Sequence, residues 1–239
     1  MGRLIKSEAS MSIGQSAGID EDQCAQLAKD HGWLWNQAVT DPRSKPVATL
    51  VLAHGAGAPM DSDFMNDMAA RLAGQGVNVL RFEFPYMAQR RVDGRRRPPN
   101  PQAQLLDCWR EVYASVRPHV TGCLAIGGKS MGGRMASLIA DELHVDALVC
   151  LGYPFYAAGK PEKPRVAHLA DLQARTLIVQ GERDALGNKE SVDAYTLSPA
   201  IEMLWIPAAN HDLKPLKSAG ISYEDCLANT AKRIADMLG

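Results

Sequence analysis

The segment GKSMG at 128–132 has the glycine-x-serine-x-glycine pattern of a turn that exposes a serine nucleophile. It follows an apolar run and precedes a helix-like segment, so Ser130 would occupy a sharp strand-to-helix turn. Glycine is required there because a side chain at Gly128 or Gly132 would collide across the turn, and the serine itself would have a strained backbone. The letters alone are a weak signal in a chain with 20 glycines, and the alternative is a turn that merely packs a helix against a strand. The context favours Ser130 as a nucleophile.

A serine hydroxyl attacks a carbonyl efficiently only when a base takes its proton, and a histidine held by a carboxylate is the usual base. After such a turn, the acid and then the histidine follow later in the chain. His211 fits this order because it lies in a short loop directly after the apolar run 201–207. We therefore predict His211 as the base, in preference to His119, His144 and His168, of which the last two are interpreted as surface residues.

The predicted acid is Asp184, which follows the apolar run 176–181 in a loop flanked by glycine. Two other carboxylates compete with it. Glu182 stands close to the end of that run, and Asp212 adjoins the histidine too closely to accept a bond from its ring easily. An aspartate in such a loop is as readily a turn former when taken alone. Its order relative to the serine and the histidine favours a catalytic role.

Attack on a carbonyl places negative charge on its oxygen, which two backbone N–H groups must meet. Met131, directly after the serine, would supply one of them. The small-residue loop His54-Gly55-Ala56-Gly57, after the apolar run 47–53, would supply the other, with Ala56 the first choice of donor and Gly57 the second. We expect His54 to brace this loop by hydrogen bonding rather than to act as a base.

The strongest charge feature is the basic loop 90–99, which begins with Arg90 and Arg91 after the end of an apolar run. Three interpretations stay open: a solvated loop or one paired with surface acids, a site for a carboxylate or phosphate of the substrate, and a patch for a macromolecular partner. The loop lacks the interleaved aromatic residues of a stacking platform for nucleic acid. Lys129, inside the glycine-rich turn, is expected to contact neighbouring loops, with the placing of an anion as the alternative.

Three aromatic residues beside the ends of apolar runs could line a pocket or simply pack: Tyr86, Tyr153 and Phe155. Only residues 153–175 separate two of the apolar runs, and three prolines within them favour extended chain. This segment is too short for a lid domain. The sequence therefore predicts an open, shallow site, suited to short acyl groups rather than to an enclosed lipid.

The elements that must position these residues follow from the apolar pattern. The runs are apolar throughout, which indicates strands buried on both faces of a mostly parallel sheet covered by helices, an α/β architecture. The predicted strands are 47–53, 77–84, 123–128, 145–152, 176–181 and 201–207. Apolar residues at three- and four-residue spacing predict helices at 63–74, 101–117, 131–143 and 223–238. Ligands of such sheets bind at the carboxyl ends of the strands, where the candidate residues stand.

The length of 239 residues suits a single domain, which we place at 31–239, with LWNQAV near its start as an edge strand. Residues 1–30 are interpreted as a leader that is partly disordered, with Met11 as a candidate native start. No apolar stretch follows the basic beginning of the chain, so we do not expect a secretory signal.

The bulk composition limits the partners of the protein. A formal net charge of −1 gives no whole-molecule field that would attract nucleic acid, and no apolar run approaches the ~18 residues of a membrane helix. The five cysteines are scattered and form no Cys/His cluster, so neither a metal site nor a disulfide framework is indicated. We expect a cytoplasmic protein with no metal, membrane or nucleic-acid partner; a homo-oligomer is compatible with the sequence.

Six segments together resemble a known group of proteins: LAHGAG (52–57), RFEFPYM (81–87), GGKSMGGRMAS (127–137), GYPF (152–155), LIVQGERD (177–184) and NHDLK (210–214). From Val47 to the C-terminus the chain resembles α/β-hydrolase-fold proteins of the testis-expressed protein 30 type, their bacterial relatives and a subunit of the nonspecific lethal (NSL) chromatin complex. The resemblance implies the α/β-hydrolase fold and assigns the nucleophile, acid and base to Ser130, Asp184 and His211. Because some relatives are assembly subunits, it supports the fold more than an activity.

The sequence thus predicts a serine hydrolase that cleaves an ester, thioester or similar acyl bond of a small molecule through an acyl-enzyme, without a cofactor. One alternative is a non-catalytic interaction protein that keeps the hydrolase fold. The other is acyl transfer or perhydrolysis by the same three residues. The complete set of serine, histidine and aspartate disfavours the first alternative, since a scaffold needs none of them.

Overall fold

The computed structural model describes residues 19–40, 46 and 48–239. Part of the predicted leader, residues 1–18, lies outside these residues, as does Val47 at the predicted start of the first parallel strand. Helix α1 (Ile19–His31) begins within the predicted leader and buries Ala28 in the core. The domain boundary at residue 30 stays a prediction.

The part of the chain that the structure describes contains seven strands: β1 (Leu34–Asn36), β2 (Ala48–Ala53), β3 (Val77–Phe82), β4 (Leu124–Lys129), β5 (Ala147–Leu151), β6 (Thr176–Gly181) and β7 (Ile201–Ile206). They form one sheet in the order β1-β3-β2-β4-β5-β6-β7, in which β1 is antiparallel to β3 and every other neighbouring pair is parallel. The edge strand β1 lies within the predicted LWNQAV segment.

The helices after α1 are α2 (Asp63–Gly74), α3 (Pro85–Asp93), α4 (Gln102–Val116), α5 (Met131–Ser137), α6 (Lys189–Asp193) and α7 (Tyr223–Leu238). Helices cover both faces of the sheet, because successive strand residues point to opposite sides and both sides are apolar. On β2, Leu50 and Leu52 pack in one core cluster with helices α2 and α7, whereas Val51 and Ala53 pack in a second cluster with α4 and α5. This arrangement confirms the predicted mostly parallel, doubly covered sheet.

The predicted basic loop is wrong in its first part, because Arg90 and Arg91 belong to helix α3. Pro85 occupies the first turn of this helix, where its missing N–H costs nothing, and Gly94 ends it with φ 71°. The sequence did not reveal this helix because it has no repeating apolar face, since only Tyr86 and Met87 are buried. Helix α5 is also shorter than predicted and gives way to turns after Ser137.

The parallel strands bring their carboxyl ends to one edge of the sheet. The segments that follow β2, β4, β6 and β7 at this edge carry the loop 54–57, Ser130, Asp184 and His211. Between β5 and β6 the chain forms a single 3-10 turn at Ala167–Leu169 and no lid domain, as predicted. Within the described ranges, no helix is both long and apolar enough to cross a membrane.

Candidate active site

Ser130 stands in the turn between β4 and α5 with φ 51° and ψ −116°, a backbone conformation that residues with a side chain rarely adopt. Its N–H donates to the carbonyl oxygen of Leu151 at 2.9 Å. A Cβ on Gly128 would lie 2.6 Å from the carbonyl carbon of Gly132, and one on Gly132 would lie 2.6 Å from the carbonyl oxygen of His54. These contacts give the physical reason for both glycines of the motif.

The loop after β7 presents His211 on a turn that is hydrogen-bonded to itself. The Asn210 side-chain oxygen accepts from the N–H of Asp212 at 3.0 Å and from the N–H of Lys214 at 3.1 Å. Leu213 is fully buried and anchors the turn to the core, although its φ is 59°. The position of the histidine is therefore determined by local bonds together with one apolar anchor.

The carboxylate of Asp184 is completely buried and accepts three hydrogen bonds. Oδ1 accepts from the N–H of Leu186 at 2.7 Å, and Oδ2 accepts from the Gln180 amide at 2.8 Å and from His211 at 2.7 Å. A buried charge is tolerated only with such donors. The competing carboxylates have other partners, since Glu182 accepts from the N–H of Ala208 and Asp212 pairs with Lys129.

The His211 ring lies between the serine and the aspartate. Its Nδ1 is 2.7 Å from Asp184 Oδ2, and its Nε2 is 2.9 Å from Ser130 Oγ. Because an ionised carboxylate can only accept, Nδ1 carries the ring hydrogen and Nε2 is left to accept the serine proton. The three side chains form one hydrogen-bonded chain with the polarity that general-base removal of the serine proton requires.

The loop after β2 lies against the serine turn. A Cβ on Gly55 would stand 3.7 Å from Ser130 Cβ, and the next two residues, Ala56 and Gly57, are exposed. In the described part of the chain, the backbone N–H groups of Met131, Ala56 and Gly57 have no acceptor. These groups are therefore available to donate to a developing charge on a substrate oxygen.

Two buried side chains brace this loop. His54 Nδ1 donates to the carbonyl oxygen of Gly55 at 2.7 Å, and its Nε2 accepts from the N–H of Phe84 at 3.1 Å. Burial lowers the pKa of His54, which favours the neutral ring that this pair of bonds needs. The hydroxyl of Tyr86, predicted as a substrate contact, donates to the carbonyl oxygen of Ala56 at 2.9 Å. Both residues thus fix the backbone beside the proposed oxyanion site.

Lys129 is buried among the same loops. Its Nζ donates to the carbonyl oxygen of His211 at 2.9 Å and lies 3.3 Å from Asp212 Oδ1. The ring of Phe64 approaches the ammonium with its centroid 5.6 Å away. Burial lowers the pKa of Lys129, and the Asp212 carboxylate opposes that shift. The predicted contact with neighbouring loops is present, and it ends on the backbone of the histidine.

The arginines of the basic segment differ in their surroundings. Arg91 forms ion pairs with Asp61 at 2.7 Å and Glu83 at 2.6 Å, and its hydrogen bonds to these carboxylates raise its pKa. Arg91 thereby joins helix α3 to the segment after the loop 54–57. Of the three interpretations of the basic loop, these ion pairs agree with the one in which its arginines pair with acidic residues. Arg90 contacts the sulfur of Met87 at 4.0 Å and stays a candidate substrate contact.

Tyr153 and Phe155 are fully buried. The Tyr153 hydroxyl donates to the carbonyl oxygen of Arg165 at 3.1 Å, and its ring packs edge-on against Phe155 with centroids 4.8 Å apart. Phe155 also stacks on Tyr195. Of the two interpretations that the sequence left open for this pair, burial supports packing rather than contact with substrate.

Sequence reasoning passed over Gln180, the fully buried amide near the end of β6. Besides bonding Asp184, its Nε2 lies 3.1 Å from the carbonyl oxygens of Tyr153 and Gly187, while its Oε1 accepts from the N–H of Tyr153 at 2.7 Å. It therefore fixes the carboxylate and joins the segments after β5 and β6. The available signal was a polar residue near the end of an otherwise apolar run.

The site is open to solvent on one side. The His211 side chain is 25% exposed, and Ser130 is partly exposed. No three His, Cys, Asp or Glu side chains in the described ranges are grouped so that they could hold a metal ion.

Several solved structures share the fold of this chain. It is similar to an alpha-beta serine hydrolase homologue from Coxiella burnetii, with a TM-score of 0.63 and 19% identity over 87% of this chain and 91% of that one. It is also similar to a serine hydrolase without lid from Xanthomonas campestris (TM-score 0.59, 19% identity, 84% and 88% of the two chains). Dienelactone hydrolase from Anabaena variabilis gives a TM-score of 0.60 at 21% identity, over 82% and 87%.

At these identities the likeness concerns the fold alone. No curated protein sequence matches this chain. The family model described as an alpha/beta hydrolase domain matches residues 46–239, which is most of the chain and includes every candidate site residue. The chain therefore belongs to the alpha/beta hydrolase domain family.

Proposed function

We propose that the protein is a serine hydrolase that cleaves an ester, thioester or similar acyl bond of a small molecule. One observation carries this proposal: His211 lies 2.9 Å from Ser130 Oγ and 2.7 Å from the buried carboxylate of Asp184. A surface serine without such a base would be a poor nucleophile. A scaffold protein would have no use for a buried charge held by three donors.

In the proposed reaction, Ser130 Oγ attacks the acyl carbon as its proton passes to His211 Nε2. Negative charge then develops on the acyl oxygen, and the N–H groups of Met131 and Ala56 donate to it. The imidazolium, stabilised by Asp184, returns the proton to the leaving group, and an acyl-enzyme remains. Water activated by His211 then releases the acid and restores the serine. No cofactor takes part in these steps.

The open site supports a substrate with a short acyl group. The segment between β5 and β6 holds no lid domain that could enclose a long acyl chain. One of the structural neighbours is likewise a serine hydrolase without lid. His211 and Ser130 are partly exposed, which agrees with an open site.

A series of p-nitrophenyl esters from acetate to longer acyl chains tests this function. The proposal predicts hydrolysis that is fastest for short acyl groups and that disappears in Ser130→Ala. Ser115→Ala is a matched control, because Ser115 is a partly exposed helical serine bonded to its own helix. Hydrolysis that survives in Ser130→Ala would contradict the proposal, and absence of turnover for every ester would favour a non-catalytic interaction protein.

We further propose a cytoplasmic location, which Cys108, Cys123, Cys150 and Cys226 support because they form no disulfide, as expected in a reducing compartment. The narrower likeness to the testis-expressed protein 30 type and the NSL subunit stays a prediction. So does the absence of nucleic-acid and membrane partners. Fractionation of the native host, followed by detection of the chain, would test the location.

A further inference from the structure

Lys129 connects the three segments that make up the proposed site. It directly precedes Ser130 in the turn, and its Cγ lies 3.7 Å from the point where a Cβ on Gly55 would stand. Its stem therefore runs past the loop 54–57, and its Nζ reaches the carbonyl oxygen of His211 at 2.9 Å. A single side chain thus touches the nucleophile turn, the proposed oxyanion loop and the histidine loop.

A buried ammonium is costly unless polar partners compensate for its lost hydration. The Lys129 side chain is only 10% exposed, whereas its carboxylate partner, Asp212, is 67% exposed and 3.3 Å away. The His211 carbonyl oxygen is therefore the closest and most enclosed of its partners. An apolar side chain would fill the same space without this cost. Packing alone therefore does not explain why a charged residue occupies this position.

The backbone of His211 passes close to Gly152. A Cβ on Gly152, whose φ is 65°, would stand 2.6 Å from the His211 carbonyl oxygen. The same point lies 3.3 Å from Lys129 Nζ and 3.4 Å from His211 Nδ1. A residue with a side chain at position 152 would therefore displace both the lysine and the histidine, and glycine leaves room for the bond between them.

We propose that Lys129 is a positioning residue for His211, an inference that rests on the proposed function. Its ammonium fixes the backbone of the histidine so that Nε2 stays at the serine hydroxyl. The positioning acts through the hydrogen bond from Nζ to the His211 carbonyl oxygen, which joins the nucleophile turn to the histidine loop.

The test compares Lys129→Met with Lys129→Arg and with Lys214→Met. Lys214 is the matched control because it lies on the same loop, is exposed and faces the Tyr223 ring at 5.9 Å. For Lys129→Met we expect kcat on p-nitrophenyl acetate to fall roughly 10- to 100-fold, the scale that a small misplacement of a catalytic group produces. KM should change little, because Lys129 acts through the histidine and not on the substrate.

The Lys129→Arg variant separates this role from simple packing. Arginine keeps a cationic donor for the His211 carbonyl oxygen, so kcat should return toward the wild-type value, whereas Lys214→Met should leave kcat unchanged. If Lys129→Met and Lys129→Arg lose kcat equally, the inference is overturned, because a packing role alone gives that result. A rise in KM at unchanged kcat in Lys129→Met would also overturn it, because a direct contact with substrate gives that result.

The inference and the proposed function fail in different ways. If wild-type hydrolysis requires Ser130 but Lys129→Met keeps the wild-type kcat, the inference about Lys129 alone is wrong. If hydrolysis survives in Ser130→Ala, the proposed function is wrong and the inference falls with it. Should Lys129→Met unfold at the assay temperature, Lys129→Gln takes its place. Its amide is one bond shorter than the lysine side chain, so kcat should again fall, and a wild-type kcat in Lys129→Gln would equally overturn the inference.

Discussion

Replacement of Asp184 by asparagine keeps the shape of the side chain but removes its charge, and the structure fixes what must follow. The carboxylate accepts three hydrogen bonds, two at Oδ2 and one at Oδ1. An amide has a single oxygen, so one of these positions must receive an NH₂ group that faces another donor. The orientation of the amide decides the outcome.

With the amide oxygen at the Oδ2 position, His211 and Gln180 keep their acceptor and only the N–H of Leu186 loses one. The opposite orientation would leave two donors unpaired and force the histidine into the wrong tautomer. Each buried donor without an acceptor costs about 1–3 kcal/mol, so the first orientation is favoured. We therefore expect Asp184→Asn to lose about 1–3 kcal/mol of stability, and Tm to fall by about 2–4 °C per kcal/mol.

The effect on catalysis follows from the lost charge. Hydrogen bonds to charged groups contribute about 1.5–3 kcal/mol, and the imidazolium formed during attack loses this stabilisation. We expect kcat to fall by roughly 10- to 100-fold, less than the loss of about 10⁴-fold seen when a serine protease histidine is left in the wrong tautomer. Initial rates with p-nitrophenyl acetate and a thermal melt measure both effects.

The matched control is Asp193→Asn, which removes an exposed carboxylate paired with Lys189 on α6 and should change neither kcat nor Tm appreciably. An Asp184→Asn variant with kcat within twofold of wild type would refute the assignment of Asp184. A loss near 10⁴-fold would refute the amide orientation deduced above while leaving the acid in place.

Three further predictions concern the surroundings of the site. Gly132→Ala places a methyl group 2.6 Å from a backbone oxygen. Overpacking of this kind costs about 1–3 kcal/mol, so Tm should fall. In the control Gly122→Ala, where nothing lies within 4 Å of the added methyl group, Tm should stay unchanged. Tyr86→Phe removes a hydrogen bond to the proposed oxyanion loop. Because such a bond contributes about 0.5–1.5 kcal/mol, kcat should fall about 2- to 10-fold, and an unchanged kcat would contradict the role of Tyr86 in fixing this loop. Burial lowers the pKa of His168 below 6.5, so the unfolded chain binds a proton more readily than the folded protein and stability is lost as pH falls through that value. Thermal melts between pH 7.5 and 5.5 should therefore show a smaller loss of Tm in His168→Gln than in wild type, and an equal dependence of Tm on pH would contradict this.

Much of the sheet could be predicted from the sequence, because its strands are buried on both faces and read as unbroken apolar runs. Strand β6 and helix α7 match their predicted residues. Helix α7 has clear end signals, with Ser222 accepting from the N–H of Asp225 at its start. Helix α3 could not be predicted, because it buries only two of its residues and its arginines belong to a run of basic residues that is typical of a loop.

The candidate site could be predicted where the chemistry sets the residue type. A serine in a glycine turn, a histidine and an aspartate in the right order need no knowledge of packing. The roles of Lys129 and Gln180 depend on partners far along the chain, such as the His211 carbonyl oxygen, 82 residues from Lys129. Pattern alone does not reveal such contacts, because a lysine or glutamine beside an apolar run is more often solvated.

The central claim is that Ser130 is an activated nucleophile, and covalent labelling tests it most directly. A fluorophosphonate reacts with a serine that a neighbouring base can deprotonate. Intact-mass analysis of the folded protein should show a single adduct, peptide mapping should place it on Ser130, and His211→Ala should lose it. Folded wild-type protein that shows no adduct, or an adduct on another residue, would contradict the account.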